Sequence, residues 1–181
     1  MYPNVQECDA RMLNSTINCL VTKKYFQNSS GFIHLYRIMK QTTTRLFVYG
    51  SLRSGFHHPA YQYISRYFAL ECNGTIKGIL TDMGEYPAAT PATENVFIKG
   101  ELYTINNEDE FSWAIGQLDD YEGVNAEEEE APLFRRELAE IITDNKETIQ
   151  AWVYWFNGDT TGKPVIACGD VLEYFKEKNK Q

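Results

Sequence analysis

Long hydrophobic runs are missing from this 181-residue chain, whose longest purely apolar stretch is Ala151-Trp152-Val153-Tyr154-Trp155-Phe156. A membrane-spanning helix needs about 20 such residues, so none is expected. Basic charge is scarce as well, with 17 Lys and Arg against 25 Asp and Glu, a net of −8. That balance argues against non-specific nucleic-acid binding and against anionic membranes, both of which require a basic face. There are only three histidines, and the four cysteines (Cys8, Cys19, Cys72, Cys168) stand far apart. No CxxC or Cys/His ligand spacing occurs, which speaks against a zinc site. No apolar stretch of ~7–15 residues follows the first basic residues, so no secretory signal is read. Free thiols in a reducing cytoplasm are the expectation. What the chain does have is 43% hydrophobic and 14% aromatic residues. That is too apolar for a disordered chain and enough for a buried core.

The charge is uneven. Residues 1–44 carry five basic and two acidic residues, +3, whereas residues 45–181 carry 12 basic and 23 acidic residues, −11. The first part also lacks a hydrophobic period and holds polar clusters such as Gln27-Asn28-Ser29-Ser30-Gly31. Residues 1–44 therefore read as an extension outside the main domain, with Met39 as an alternative initiator. Residues 45–181 read as that domain.

Arg45-Leu46-Phe47-Val48-Tyr49 is a short branched and aromatic run stopped by Gly50, the pattern of a buried strand entering a tight turn. Residues 57–68 repeat apolar side chains at Tyr61, Ile64 and Phe68, a helical spacing that tolerates Pro59 in the first turn. Residues 74–80 and 96–103 read as strands, and their glycines suggest bulges or sharp bends. Asn107 followed by Glu110 forms a capping box, Phe111, Ile115 and Leu118 make one apolar stripe, and Gly123 sits where a left-handed cap belongs. Residues 134–142 and 149–156 read as strands paired around Asp144-Asn145-Lys146, and residues 170–178 as a short amphipathic helix. Strands outnumber helices, which predicts an α+β fold: a small mixed β-barrel with flanking helices.

Glu122 follows Phe111 by eleven residues, which at ~100° per residue returns it almost to the same helical face. A carboxylate closing an apolar stripe is desolvated, and the negative helix C-terminus adds to the effect, so its pKa rises. Such a group suits general acid–base work. The competing reading puts Glu122 just past the last turn, facing solvent. Tyr49-Gly50-Ser51-Leu52 ends a strand in small residues, exposing backbone N–H groups that can form an anion-holding nest. An ordinary strand-to-helix turn has the same composition. Neither a P-loop nor a G-x-S-x-G elbow is present. His57 and His58 are adjacent and make a poor metal pair, the glutamates at 127–130 read as a solvated loop, and Tyr154 and Trp155 read as core. Arg135 and Arg136 fall on opposite faces of a strand.

Taken in order, Leu46-Phe47-Val48-Tyr49-Gly50-Ser51-Leu52, Gly84-Glu85-Tyr86-Pro87-Ala88, Ile98-Lys99-Gly100-Glu101-Leu102-Tyr103, Leu118-Asp119-Asp120-Tyr121-Glu122-Gly123 and Ala151-Trp152-Val153-Tyr154 resemble the gamma-glutamylcyclotransferase-like proteins, AIG2-like branch. The resemblance covers roughly residues 45–175. It implies the small mixed barrel and the release of 5-oxoproline from a gamma-glutamyl amino acid, peptide or amine, without cofactor or metal. It also implies Glu122 as the catalytic residue and Tyr49, Gly50, Ser51 and Leu52 as the substrate-holding loop. Relatives often carry Tyr ahead of the Arg of the following strand, where this chain has Phe134 before Arg135-Arg136. A catalytically silent ligand-binding or interaction module on the same fold is the alternative.

Overall fold

Arg45–Val48 forms β1 and sets the pattern of the sheet, because Leu46 and Val48 enter one buried cluster and Phe47, between them, enters another. The computed structural model describes residues 43–56, 58–125 and 131–180. The extension through residue 42 with Met39, His57 and the glutamates at 127–130 lie outside the described residues. After β1 come α1 (Pro59–Tyr67), β2 (Phe68–Asp82), β3 (Pro87–Pro91), β4 (Phe97–Ile105), α2 (Phe111–Tyr121), β5 (Phe134–Thr143), β6 (Thr148–Phe156) and α3 (Val171–Lys178).

The strand order is β3-β2-β4-β1-β6-β5, and β5 pairs back onto β2. Five strands thus close into a barrel, with β3 an added antiparallel partner of the far half of β2. The β1–β6 pair is parallel and the other pairs are antiparallel, so the barrel is mixed. Among the described residues three helices flank it. The α+β barrel read from the sequence is the fold observed.

β2 runs fifteen residues because its successive segments serve three partners, β4, β5 and β3. Its register shift lies between Leu70 and Cys72, not at the glycines where the sequence suggested bulges. The glycines serve close approach instead. Gly74 and Gly100 face each other across β2 and β4. A methyl on Gly100 would overlap the Phe47 ring and the Val48 carbonyl, and one on Gly74 would lie 2.9 Å from Ile141 Cγ2.

The barrel interior is filled by Phe47, Ile76, Leu80, Ile98, Leu102, Ile141, Val153 and Trp155, all buried. On the outer face, Leu46, Val48, Tyr103, Tyr154 and Phe156 pack against Ile64 of α1 and Ala114, Ile115 and Leu118 of α2. Each fully buried side chain of this size contributes about 1.5–3 kcal/mol. His58 Nδ1 accepts from the Ala60 N–H to cap α1, and Pro59 fills its first position. Asn107 does cap, its side chain accepting from the Asp109 N–H, but the capped element is a 3-10 turn, Glu108–Glu110, that leads into α2. Asp170 caps α3 by accepting from the Leu172 N–H. Buried Asp82 holds the far end of that helix, accepting from Tyr174 Oη at 2.9 Å and Lys178 Nζ at 2.6 Å. The domain begins slightly before Arg45: Thr43 and Thr44 carbonyls accept from Trp152 Nε1 and the Ile105 N–H. Among the described residues, no helix is long and apolar enough to cross a membrane.

Candidate active site

The end of α2 is fixed by a two-bond cap. The Val124 N–H donates to the Asp119 carbonyl at 2.9 Å and the Gly123 N–H to the Asp120 carbonyl at 3.3 Å, with Gly123 at φ +66°. This is the Schellman arrangement, and the left-handed residue it requires is least strained as glycine. Glu122 is therefore the C-cap residue, its own N–H donating to the Leu118 carbonyl. Ile115 and Leu118 on the same stripe are buried beneath it.

Glu122 lines a cavity of about 260 Å³ at one end of the barrel. The wall opposite comes from the end of β1 and the loop after it, Val48 through Leu52. Tyr86 before β3, Pro87 at its start, Tyr121, Leu133, Phe134 and Tyr154 complete it. All five residues singled out in the sequence, Glu122, Tyr49, Gly50, Ser51 and Leu52, thus meet around one cavity. Among its described lining residues Glu122 is the only carboxylate, and none is Lys, Arg or His. Burial pushes the Glu122 carboxyl up to about 7. Glu122 is half-buried, so part of its surface stays accessible.

The loop residues contribute in different ways. Tyr49 Oη donates to the Tyr154 carbonyl at 2.7 Å, so its proton is committed. Burial pushes the Tyr49 phenol strongly upward, and the nearby Glu122 carboxylate adds to this. The Gly50 carbonyl accepts from the Arg53 N–H at 3.0 Å, closing a turn with Ser51 and Leu52 at its centre. Among the described residues nothing accepts from the Ser51 or Leu52 N–H. The Leu52 side chain is buried in the outer core.

Further residues shape the site and were not singled out for it in the sequence. Tyr154, read as core, presents one side to the cavity while Trp155 points into the barrel interior, as strand alternation requires. Its Oη donates to Asp119 Oδ1 at 2.9 Å. Asp119 also meets Arg136 Nε at 3.2 Å, and the Arg136 guanidinium stacks over Trp152 at 4.7 Å. Arg135 points the other way, to Glu137 and Asn157. Phe134, Phe156 and Tyr86 form a cluster of rings 5.5–6.1 Å apart, of which Tyr86 and Phe134 line the cavity. His58 is spent on its helix cap. Among the described residues no three His, Cys, Asp or Glu side chains gather as metal ligands would.

No curated protein sequence matches the chain. Among solved structures it is similar to YkqA from Bacillus subtilis, with 23% identity and a TM-score of 0.57 over 76% of this chain and 43% of that one. It thus spans less than half of the B. subtilis protein. It is also similar to ytfP from Escherichia coli, with 28% identity and a TM-score of 0.50 over 72% of this chain and 98% of that one. An AIG2-like protein from Mus musculus shares 19% identity at a TM-score of 0.51, over 67% of this chain and 84% of that one. At such identities the likeness speaks for the fold, since one fold carries many functions. The family model described as gamma-glutamyl cyclotransferase, AIG2-like, matches residues 46–173, from β1 into α3. The chain belongs to the AIG2-like gamma-glutamyl cyclotransferase family.

Proposed function

We propose that this protein is a cofactor-independent cyclotransferase that releases 5-oxoproline from a gamma-glutamyl amino acid, peptide or amine. The observation that carries the proposal is Glu122: a carboxyl pushed up to about 7 by burial, with no cation on the described cavity wall, across from a turn with two N–H groups that no described residue accepts from. A structural carboxylate is normally paired. One left unpaired on a cavity wall is arranged to exchange protons.

In this reaction Glu122 takes a proton from the substrate's alpha-ammonium group. The freed amine nitrogen attacks the gamma-carbonyl carbon, a C–N bond forms, and the carbonyl electrons move to oxygen. The attacking nitrogen gives its second surplus proton to solvent. As the tetrahedral intermediate collapses, the carbonyl re-forms, the original amide C–N bond breaks and Glu122 returns the first proton to the departing amine. One group thus serves as base and then acid, for which a pKa near neutrality is well matched. The Ser51 and Leu52 N–H groups are available to hold the substrate's alpha-carboxylate or the developing oxyanion. The chief contribution of the cavity is to enforce the folded-back conformer, a proximity effect. The Cys72 and Cys168 thiols are free, which suits a reducing compartment such as the cytoplasm.

The test is incubation with a panel of gamma-glutamyl amino acids, peptides and amines, assayed for 5-oxoproline. Release from at least one member is expected. Binding without turnover across the panel would instead identify a silent binding module.

A further inference from the structure

The turn from Gly50 to Arg53 is held from behind by buried charge. Glu101 on β4 pairs in register with Val48, the last residue of β1, so its side chain lies beside the start of the turn. It is 5% exposed and accepts three hydrogen bonds: from the Ser54 N–H at 2.8 Å, Ser54 Oγ at 2.8 Å and Tyr103 Oη at 2.7 Å. Arg53, 7% exposed, places Nε 3.7 Å from Glu101 Oε1 and Nη1 2.9 Å from Asp170 Oδ1. Asp170 is also the cap of α3, so the same contacts tie the turn to β4 and to the C-terminal helix. Neither Arg53 nor Glu101 lines the cavity.

Energetics make this arrangement informative. Desolvating two charges costs several kcal/mol per ion, and apolar residues of the same volume often serve stability as well or better. Arg53 Nε is buried with no hydrogen-bond partner among the described residues, a further cost. What the charges supply is fixed geometry, since a carboxylate with three donors has one orientation and the turn must follow it. A turn fixed in advance presents the Ser51 and Leu52 N–H groups without an ordering cost on binding.

We propose that Glu101 and Arg53 are positioning residues that pre-form the Gly50–Leu52 turn as the binding site for the substrate's carboxylate. This rests on the cyclotransferase reading of the cavity. Their effect belongs in substrate binding, not in the proton transfers at Glu122.

The full chain bearing Glu101→Gln is compared with wild type by amide exchange at Arg53 and Ser54, whose N–H groups donate to the Gly50 carbonyl and to Glu101, and by the kinetics of 5-oxoproline release. Exchange at those two amides is expected to rise at least about tenfold, while the Leu118 amide in α2 holds, because a charge-assisted hydrogen bond has been weakened. KM is expected to rise about ten- to hundredfold with kcat changed by less than about threefold, and the pH profile to stay in place. Ser54→Ala removes one of the three bonds and carries the same test if Glu101→Gln fails to fold, with a rise of about three- to tenfold. Unchanged exchange with unchanged KM would overturn the inference. So would a loss confined to kcat, the mark of a smaller folded fraction. If wild type releases no 5-oxoproline, the cyclotransferase reading fails on its own. The exchange comparison then still decides whether Glu101 fixes the turn.

Discussion

The Tyr154 hydroxyl donates to Asp119 Oδ1 at 2.9 Å, and Asp119 lies one helical turn before Glu122 on α2. The contact joins β6 to the helix that carries the candidate base. Tyr154 also accepts the Tyr49 hydroxyl on its carbonyl, so one strand residue touches both sides of the cavity. Asp119 receives Arg136 as well, which brings in β5.

Removing Asp119 leaves the Tyr154 hydroxyl and the Arg136 guanidinium without their acceptor. Asp119→Ala is therefore expected to lower stability by about 2–4 kcal/mol. Tyr154→Phe keeps the ring and deletes only the donor, leaving Arg136 in place on Asp119, and should cost about 1–2 kcal/mol. Denaturant unfolding of both variants checks the order. A Tyr154→Phe loss equal to that of Asp119→Ala would refute the Arg136 contribution.

With Glu122 as the proposed base, the pH dependence of kcat/KM is expected to follow its ionisation. Its carboxyl titrates at about 7 in the folded protein, and a general base works ionised. The rate should fall about tenfold per pH unit below that value. A profile flat down to about pH 5 would mean that the essential base is another group.

Stability should move in the opposite direction. Because the folded pKa of Glu122 lies above its unfolded value, the native state binds more protons between about pH 4 and pH 7. This contribution favours folding in acid and is lost as pH rises through that window, amounting to about 2–4 kcal/mol by pH 8. Glu122→Gln removes the ionisation, so the variant should match wild type near pH 4 and exceed it in stability at pH 8. Unfolding curves for both proteins at the two pH values decide this. A constant difference between them would show that Glu122 titrates normally.

The residues before Thr43 are proposed to lie outside the catalytic domain, which Thr43 and Thr44 join. A chain starting at Met39 keeps Thr43 and Thr44, whose carbonyls accept from Trp152 Nε1 at 3.0 Å and the Ile105 N–H at 3.2 Å. It should melt with the full-length chain. A chain starting at Arg45 loses both acceptors and should be about 1–2 kcal/mol less stable. Melting of the Met39 chain many degrees below the full-length protein would show that the extension is part of the fold.

Much of the architecture was legible in the sequence because local signals agreed with tertiary ones. Asn107 and Gly123 bracket the α2 region, and the stripe from Ile115 to Glu122 faces inward as its spacing required. β3 was not legible. Pro87-Ala88-Ala89-Thr90-Pro91 has two prolines and little β-branching, and it is a strand because the end of β2 supplies a ladder and buries Ala88 and Ala89. Tyr154 escaped for another reason. Alternation puts it opposite Trp155, but which of the two faces the cavity depends on how the barrel closes. Asp119 and Asp120 are likewise neighbours in sequence, and only packing against β6 and β5 buries the first and leaves the second exposed.

Glu122 is proposed to move the protons of an internal cyclisation. The most direct measurement is 5-oxoproline release from a gamma-glutamyl panel by wild type and by Glu122→Gln, with the fold of each checked by its thermal transition. Wild type is expected to release product from at least one substrate. The Gln variant should lose at least about 10²–10⁴ in rate, the worth of a positioned acid–base group, while melting no lower than wild type. A folded Gln variant that turns over at the wild-type rate would contradict the account.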